Sequence, residues 1–178
     1  MRRLHVITGA PGTGKTSILE ALADEFTVVA EPARRVLAAW RADGNPLPAR
    51  MDAGLMVRRM TELAIDDHAK ARSENGTVLF DRGVVDSVAY ARHLGLDPEA
   101  AARVAADHRY DRRVLLTTPW RSIYTTDEER TMEFEDVEQF HRAVVDSYTE
   151  AGYELIPVPT GPLQERVAFV KRHIRVDG

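Results

Sequence analysis

The stretch Leu4-His5-Val6-Ile7-Thr8-Gly9-Ala10-Pro11-Gly12-Thr13-Gly14-Lys15-Thr16 decides the reading of this chain. Its first five residues are β-prone, and its last eight satisfy Gly-x-x-x-x-Gly-Lys-[Ser/Thr] at every specified position. Past the motif, Ile18, Leu19, Leu22 and Phe26 recur at helical spacing, so the glycines fall where a strand ends and a helix begins. Phosphate binding needs that placement, because the backbone N–H groups of Gly12, Gly14, Lys15 and Thr16 then converge at a positive helix end. Lys15 is expected to neutralise the β- and γ-phosphates, and the Thr16 hydroxyl to hold Mg²⁺. Gly9, Pro11, Thr13 and Ser17 complete the candidate nucleotide-binding set. The cofactors expected are ATP, or GTP, together with Mg²⁺.

The rest of the chain alternates. Phe26 to Ala30 reads as a second strand, expected to adjoin the phosphate-loop strand, and Glu31-Pro32 follows with proline suited to the first turn of a helix. Helical patterns run from Ala33 to Trp40 and from Met51 to Arg72, making a helical excursion over about 38–75. Thr77-Val78-Leu79-Phe80 is an apolar strand ending at Asp81-Arg82-Gly83, and such unbroken apolar runs suit parallel strands covered on both faces. Helices are expected over Val84 to Leu94 and Pro98 to His108, and strands over Arg113 to Thr117 and Glu154 to Val158. Between those strands lie a polar, arginine-bearing segment and a helix with Val137, Phe140, Val144 and Tyr148 at helical spacing. A last helix after Pro162 carries Leu163, Val167, Val170 and Ile174 on one face. Five strands alternating with helices predict an α/β fold, three layers deep, with a five-stranded parallel sheet in one domain over residues 1–178.

Asp81 ends an apolar strand, where a carboxylate meets the magnesium of a bound nucleotide. Arg82 follows it, where motor ATPases usually place a glutamate that polarises water, and arginine instead stabilises a transferring phosphoryl group. The lysines outside the loop, Lys70 and Lys171, carry no Asn-Lys-x-Asp guanine motif, and no Leu-Ser-Gly-Gly-Gln signature is present. These absences argue against a GTPase switch protein and a transporter ATPase subunit.

Glu31-Pro32 after strand two and Asp81-Arg82-Gly83 after strand three resemble the Glu-Pro and acid-Arg-small motifs of deoxynucleoside kinases, in the small nucleoside- and nucleotide-kinase-like group of phosphate-loop proteins. Glu31-Pro32-Ala33-Arg34, Phe80-Asp81-Arg82-Gly83 with Asp86 and Tyr90, and Pro119-Trp120 to Asp127-Glu128-Glu129-Arg130 resemble, over nearly the whole chain, predicted AAA-type ATPases related to the nicotinamide riboside kinase domain. The resemblance implies Glu31 as the base that accepts the proton of a substrate hydroxyl, with Asp81 serving magnesium or filling the base role itself. Arg82 is the candidate phosphate-stabilising group. Arg34, one helical turn beyond Glu31, and Asp86 are candidate acceptor contacts, each with a plain alternative as a surface pair and a helix-start carboxylate. Arg121 and Arg130 flank a lid segment at about 119–132, Arg121 with the nucleotide and Arg130 closing over the transferring group. Thr126-Asp127-Glu128-Glu129 in that segment also fits a capping box.

Composition bounds the function. The 178 residues include no cysteine, which excludes disulfides, thiolate–zinc sites and a cysteine nucleophile and suits a cytoplasmic setting. A net charge of −4 argues against a broad nucleic-acid surface, and no apolar run approaches the ~20 residues of a membrane span. The expected partner is a small-molecule phosphoryl acceptor, with a homodimer compatible and neither nucleic acid nor membrane implied. The leading expectation is a kinase moving the γ-phosphoryl group to a hydroxyl of a small nucleoside-like or metabolite acceptor. The alternative is a regulatory ATPase acting on a protein partner.

Overall fold

Alternate residues of the central strands face opposite sides of one sheet, and both sides are apolar, so the sheet is covered twice. The computed structural model describes residues 3–45, 51–121 and 133–175. Five strands, β1 (Arg3–Gly9), β2 (Thr27–Val29), β3 (Thr77–Asp81), β4 (Arg113–Thr117) and β5 (Glu154–Val158), form a single sheet in the order β2-β3-β1-β4-β5. All four pairings are parallel. The described helices are α1 (Lys15–Glu20), α2 (Pro32–Ala42), α3 (Ala53–Ala71), α4 (Val84–His93), α5 (Glu99–Asp107), α6 (Phe134–Glu150) and α7 (Leu163–Arg175).

The strand period of two sorts the core. Leu4, Val6, Val78, Phe80, Val114 and Leu116 point to one face and pack with residues of α3 to α6, including Val88, Val137, Phe140, Val144 and Tyr148. Ile7, Leu79 and Leu115 point to the other and meet Ile18, Leu19 and Leu22 with Val170 and Ile174 of α7. A smaller cluster of Ala33, Val36 and Met60 joins α2 to α3. The edge strands are plainer: β2 is only part-buried, and β5 carries Pro157, whose missing N–H is tolerated only where no neighbour needs it.

Three expectations are corrected. Strand β2 does not adjoin β1; β3 lies between them, so the chain crosses from β1 to the sheet edge and returns inward. The helix after the phosphate loop spans only Lys15–Glu20, and Leu22, fully buried, reaches the core from the hydrogen-bonded turns that follow. Leu163 is exposed, because α7 turns Arg166, Val170 and Ile174 inward instead. No described helix is long and apolar enough to cross a membrane.

Candidate active site

Parallel strands end together, and here the ends of β1, β2 and β3 bring the three sequence motifs to one crevice. Asp81 pairs in register with Ile7, two residues before Gly9, and the Arg82 N–H donates to the Ile7 carbonyl at 3.0 Å, closing that edge of the ladder. The intervening β3 thus sets Asp81 between the phosphate loop and Glu31.

The loop itself requires its glycines. Gly9 has φ +135°, and a Cβ there would stand 2.1 Å from the Thr117 carbonyl oxygen at the end of β4. Gly14 caps α1 at φ 80°, in the left-handed region that glycine enters without penalty. Thr13 is buried, donating to the Ala10 carbonyl at 2.8 Å and sharing a 2.6 Å hydroxyl contact with Thr117. The Lys15 ammonium folds back to donate to the carbonyls of Ala10 (2.8 Å) and Gly9 (3.3 Å). Burial and the nearby Arg82 lower its pKa to about 8, against the pull of Asp81, Glu31 and Asp86. Thr16 is half-buried at the start of α1 and Ser17 is exposed.

Across the crevice stands an ion network around Arg82. Arg82 is the one described non-glycine residue with positive φ, at 74°, a conformation that costs about 1–2 kcal/mol. The bend turns its guanidinium inward, where Nε donates to Glu31 Oε1 at 2.7 Å and Nη1 to Asp86 Oδ1 at 3.0 Å. Its plane lies over the rings of Tyr90 and Phe140. Burial opposes this charge, but Tyr90, Glu31 and Asp86 hold it well above the ordinary arginine value. Burial likewise works to raise the Glu31 pKa, yet the Arg82 and Lys15 charges and the Arg82 hydrogen bond outweigh it and hold the carboxyl at about 2. Glu31 is therefore ionised throughout the physiological range. Among the described residues its Oε2 accepts only from Arg34, at 3.2 Å, whose side chain is 48% exposed and easily displaced.

Asp86 is placed otherwise than an acceptor contact requires. It is 1% exposed and accepts from Thr8 Oγ1 (2.5 Å), Arg82 Nη1, Gly83 N (2.8 Å) and Tyr148 Oη (2.6 Å). This bonding supports Arg82 from behind and starts α4. Arg82 itself is directed at the two carboxylates rather than at open solvent. Arg121 is exposed, pairing with Glu135 at 3.3 Å and lying over the Phe134 ring at the start of α6. Arg130 and the rest of the expected lid beyond Arg121, with its capping box, lie outside the described residues.

Asp81 differs from the other carboxylates. Among the described residues its Oδ1, though buried, has no hydrogen-bond partner, and burial, with Glu31 and Asp86 nearby, pushes its pKa up to about 6 against Lys15 and Arg82. Glu31 and Asp86 are each bonded to Arg82, and Glu31 also to Arg34, whereas among the described residues no cation hydrogen-bonds Asp81. An orphaned carboxylate oxygen beside a phosphate loop fits a divalent cation such as Mg²⁺, with the Thr16 hydroxyl as the second candidate ligand.

Two participants escaped the sequence reading. Arg166 of α7 donates to the Thr13 carbonyl at 2.7 Å and to the Pro159 carbonyl at 3.1 Å, bracing the loop from a point 153 residues distant in the chain. Its place in a helical pattern offered no signal. His141 of α6, close enough to Lys15 for that charge to lower its pKa further below the value set by burial and Arg142, has a buried Nδ1 with no partner. Tyr90, noted only for its place in a motif, donates to Glu31 Oε1 at 3.4 Å.

Comparisons with known proteins bear on the fold and the family. The NadR protein in complex with NR superposes with TM-score 0.74 at 20% identity, covering 99% of this chain and 52% of that one. The chain thus spans about half the length of the NadR chains. Deoxyadenosine kinase from M. mycoides gives TM-score 0.69 at 12% identity, covering 98% of this chain and 100% of the other. Thymidylate kinase from Ehrlichia chaffeensis gives 0.64 at 14%, covering 96% and 99%. No curated protein matches the sequence. A family profile described as an AAA domain matches residues 4–166, from β1 through the arginine that braces the phosphate loop, and the chain belongs to that family, with the fold of a nucleoside- or nucleotide-kinase-like phosphate-loop NTPase.

Proposed function

We propose that the protein is an ATP- and Mg²⁺-dependent phosphotransferase that moves the γ-phosphoryl group to a hydroxyl of a small nucleoside-like or metabolite acceptor. The observation that carries this reading is Glu31: an ionised carboxylate anchored through one oxygen by buried Arg82, with its second oxygen held only by a surface arginine. A hydrolase needs no such acceptor-side anchor. In this reading the acceptor hydroxyl displaces Arg34 and donates to Glu31 Oε2, so the carboxylate orients it before taking its proton as the oxygen–phosphorus bond forms and the bond to the leaving ADP breaks. A pKa of about 2 makes Glu31 a weak base. That suffices for a loose transition state, in which the hydroxyl loses its proton late and positioning dominates.

Lys15 leaves its carbonyl partners to neutralise the β/γ-phosphates, and Asp81 with Thr16 would hold Mg²⁺, which supplies charge neutralisation between those phosphates. Helices α2 and α3 form the acceptor side, and the lid segment with Arg121 and Arg130 excludes water. A cytoplasmic setting belongs to this reading, and the cysteine-free sequence suits it. GTP can replace ATP in the same loop, since backbone amides read phosphate and not base.

The deciding measurement is Mg²⁺-dependent ADP release with and without pooled nucleosides, sugars and vitamin precursors, with Lys15→Ala as the control for contaminating activity. Acceptor-stimulated release that vanishes in the variant is expected. Slow release indifferent to every pool would favour a regulatory ATPase. Glu31→Gln should keep ATP affinity and lose about 10²–10⁴-fold in turnover, and undiminished turnover removes Glu31 from the reaction.

A further inference from the structure

Among the described residues, buried cations have carboxylates near them, with one exception. Lys15 lies within electrostatic reach of Asp81, Glu31 and Asp86, and Arg82 is paired with Glu31 and Asp86. Arg166 is 6% exposed, and its hydrogen-bond acceptors are two backbone carbonyls, of Thr13 and Pro159. Burial alone lowers its pKa, with no described carboxylate to raise it. Carbonyl dipoles satisfy the N–H groups but leave the charge uncompensated, and a buried charge without a counter-ion is costly. The third arm of the guanidinium is the informative one: Nη1 stands 2.5 Å from where a Cβ on Gly14 would be, against the backbone of the phosphate loop.

We propose that Arg166 is a nucleotide-positioning residue, whose guanidinium takes its missing counter-charge from the phosphates of the bound nucleotide while its Nε and Nη2 hold the loop that binds them. The crevice is thereby divided by charge. An orphaned carboxylate oxygen on Asp81 awaits the cation, and a guanidinium against Thr13 and Gly14, with no described carboxylate paired to it, awaits the anion. Each component of a metal–nucleotide complex then meets its opposite. The fork geometry of arginine allows one side chain to bond two carbonyls and still present charge to the loop, which lysine does less fully.

The inference rests on nucleotide binding at the phosphate loop, so the test separates the two. Affinities for ATP, ADP, AMP and adenosine are measured by calorimetry for the wild type, Lys15→Ala, Arg166→Lys and Arg166→Gln. Expected is a loss of about tenfold or more for ATP in Arg166→Gln, less for ADP and little for adenosine, with Arg166→Lys within about threefold of wild type because it keeps the charge. Equal losses in the lysine and glutamine variants would reduce Arg166 to a carbonyl clamp and overturn the proposal, as would wild-type affinity in Arg166→Gln while Lys15→Ala fails to bind. Wild-type protein that binds no nucleotide overturns the underlying reading, and the proposal with it. If Arg166→Gln does not fold, the Nε–H resonance of Arg166 in wild-type protein decides. A shift with ATP and ADP but not adenosine supports the assignment, and no shift overturns it.

Discussion

Asp81 shows how a single residue trades stability for chemistry. Its carboxyl is pushed up to about 6 by burial and by Glu31 and Asp86, so its charge is a cost to the ligand-free fold above that pH. The cost disappears as the carboxyl takes up a proton between about pH 6 and pH 4, because the folded state binds that proton more tightly than the unfolded chain. Glu31 runs the other way: held at about 2, it contributes stability above its ordinary range and loses it as pH falls toward 2. Asp81→Asn is therefore expected to stabilise the ligand-free protein at pH 8 by about 1–3 kcal/mol in thermal denaturation, while abolishing Mg²⁺-dependent ADP release. In the wild type, Mg²⁺–nucleotide affinity should fall as pH drops through about 6, read by calorimetry in buffers on either side. Affinity constant from pH 8 to pH 5 would show that Asp81 is not the metal's carboxylate.

At the scale of elements, the site depends on how α4 and α6 pack behind it. Helix α6 packs along α4 through Phe140, Val144 and Tyr148, and the Tyr148 hydroxyl reaches Asp86, which in turn holds Arg82 and through it Glu31. That line runs from the core to Glu31 with every member a strong hydrogen bond to a charged group. Tyr148→Phe removes one 2.6 Å bond and leaves the ring in place. The expected cost is about 1–3 kcal/mol in urea unfolding, with a larger fall in kcat than in ATP affinity because Arg82 loses its support. Equal falls in both would mean general loosening rather than transmission through Asp86.

At the scale of the whole molecule, the sheet order matters more than any one contact. Placing β3 between β1 and β2 puts the Asp81 carboxylate between the phosphate loop and Glu31, so the proposed metal ligand and the proposed base share one crevice. Ligand binding there should couple to global stability, since β1, β3 and α7 all carry core residues and all touch the site. Mg²⁺–ATP at about 100 times its dissociation constant should stabilise the fold by about 2.7 kcal/mol. For a chain of this size that corresponds to a rise in Tm of about 5–10 °C. Lys15→Ala should show no such rise, and an equal rise in that variant would place nucleotide binding elsewhere.

The sequence by itself determined the alternation of elements, because strand and helix periods are local and the apolar runs of β1, β3 and β4 are long enough to read. It also determined the phosphate loop, whose glycine spacing answers to backbone geometry within eight residues, and the candidacy of Glu31, Asp81 and Arg82, which sit at strand ends. Only the tertiary structure decided which strands are neighbours, since strand order depends on packing across the whole sheet and not on any segment's own pattern. It alone separated three acids of similar appearance: Asp81 with an orphaned oxygen, Glu31 clamped by arginine, Asp86 enclosed by four donors. It alone brought Arg166 to the loop. Charge and burial act between residues distant in the chain, so a carboxylate's role is set by what the fold places against it, and no spacing in the sequence records that.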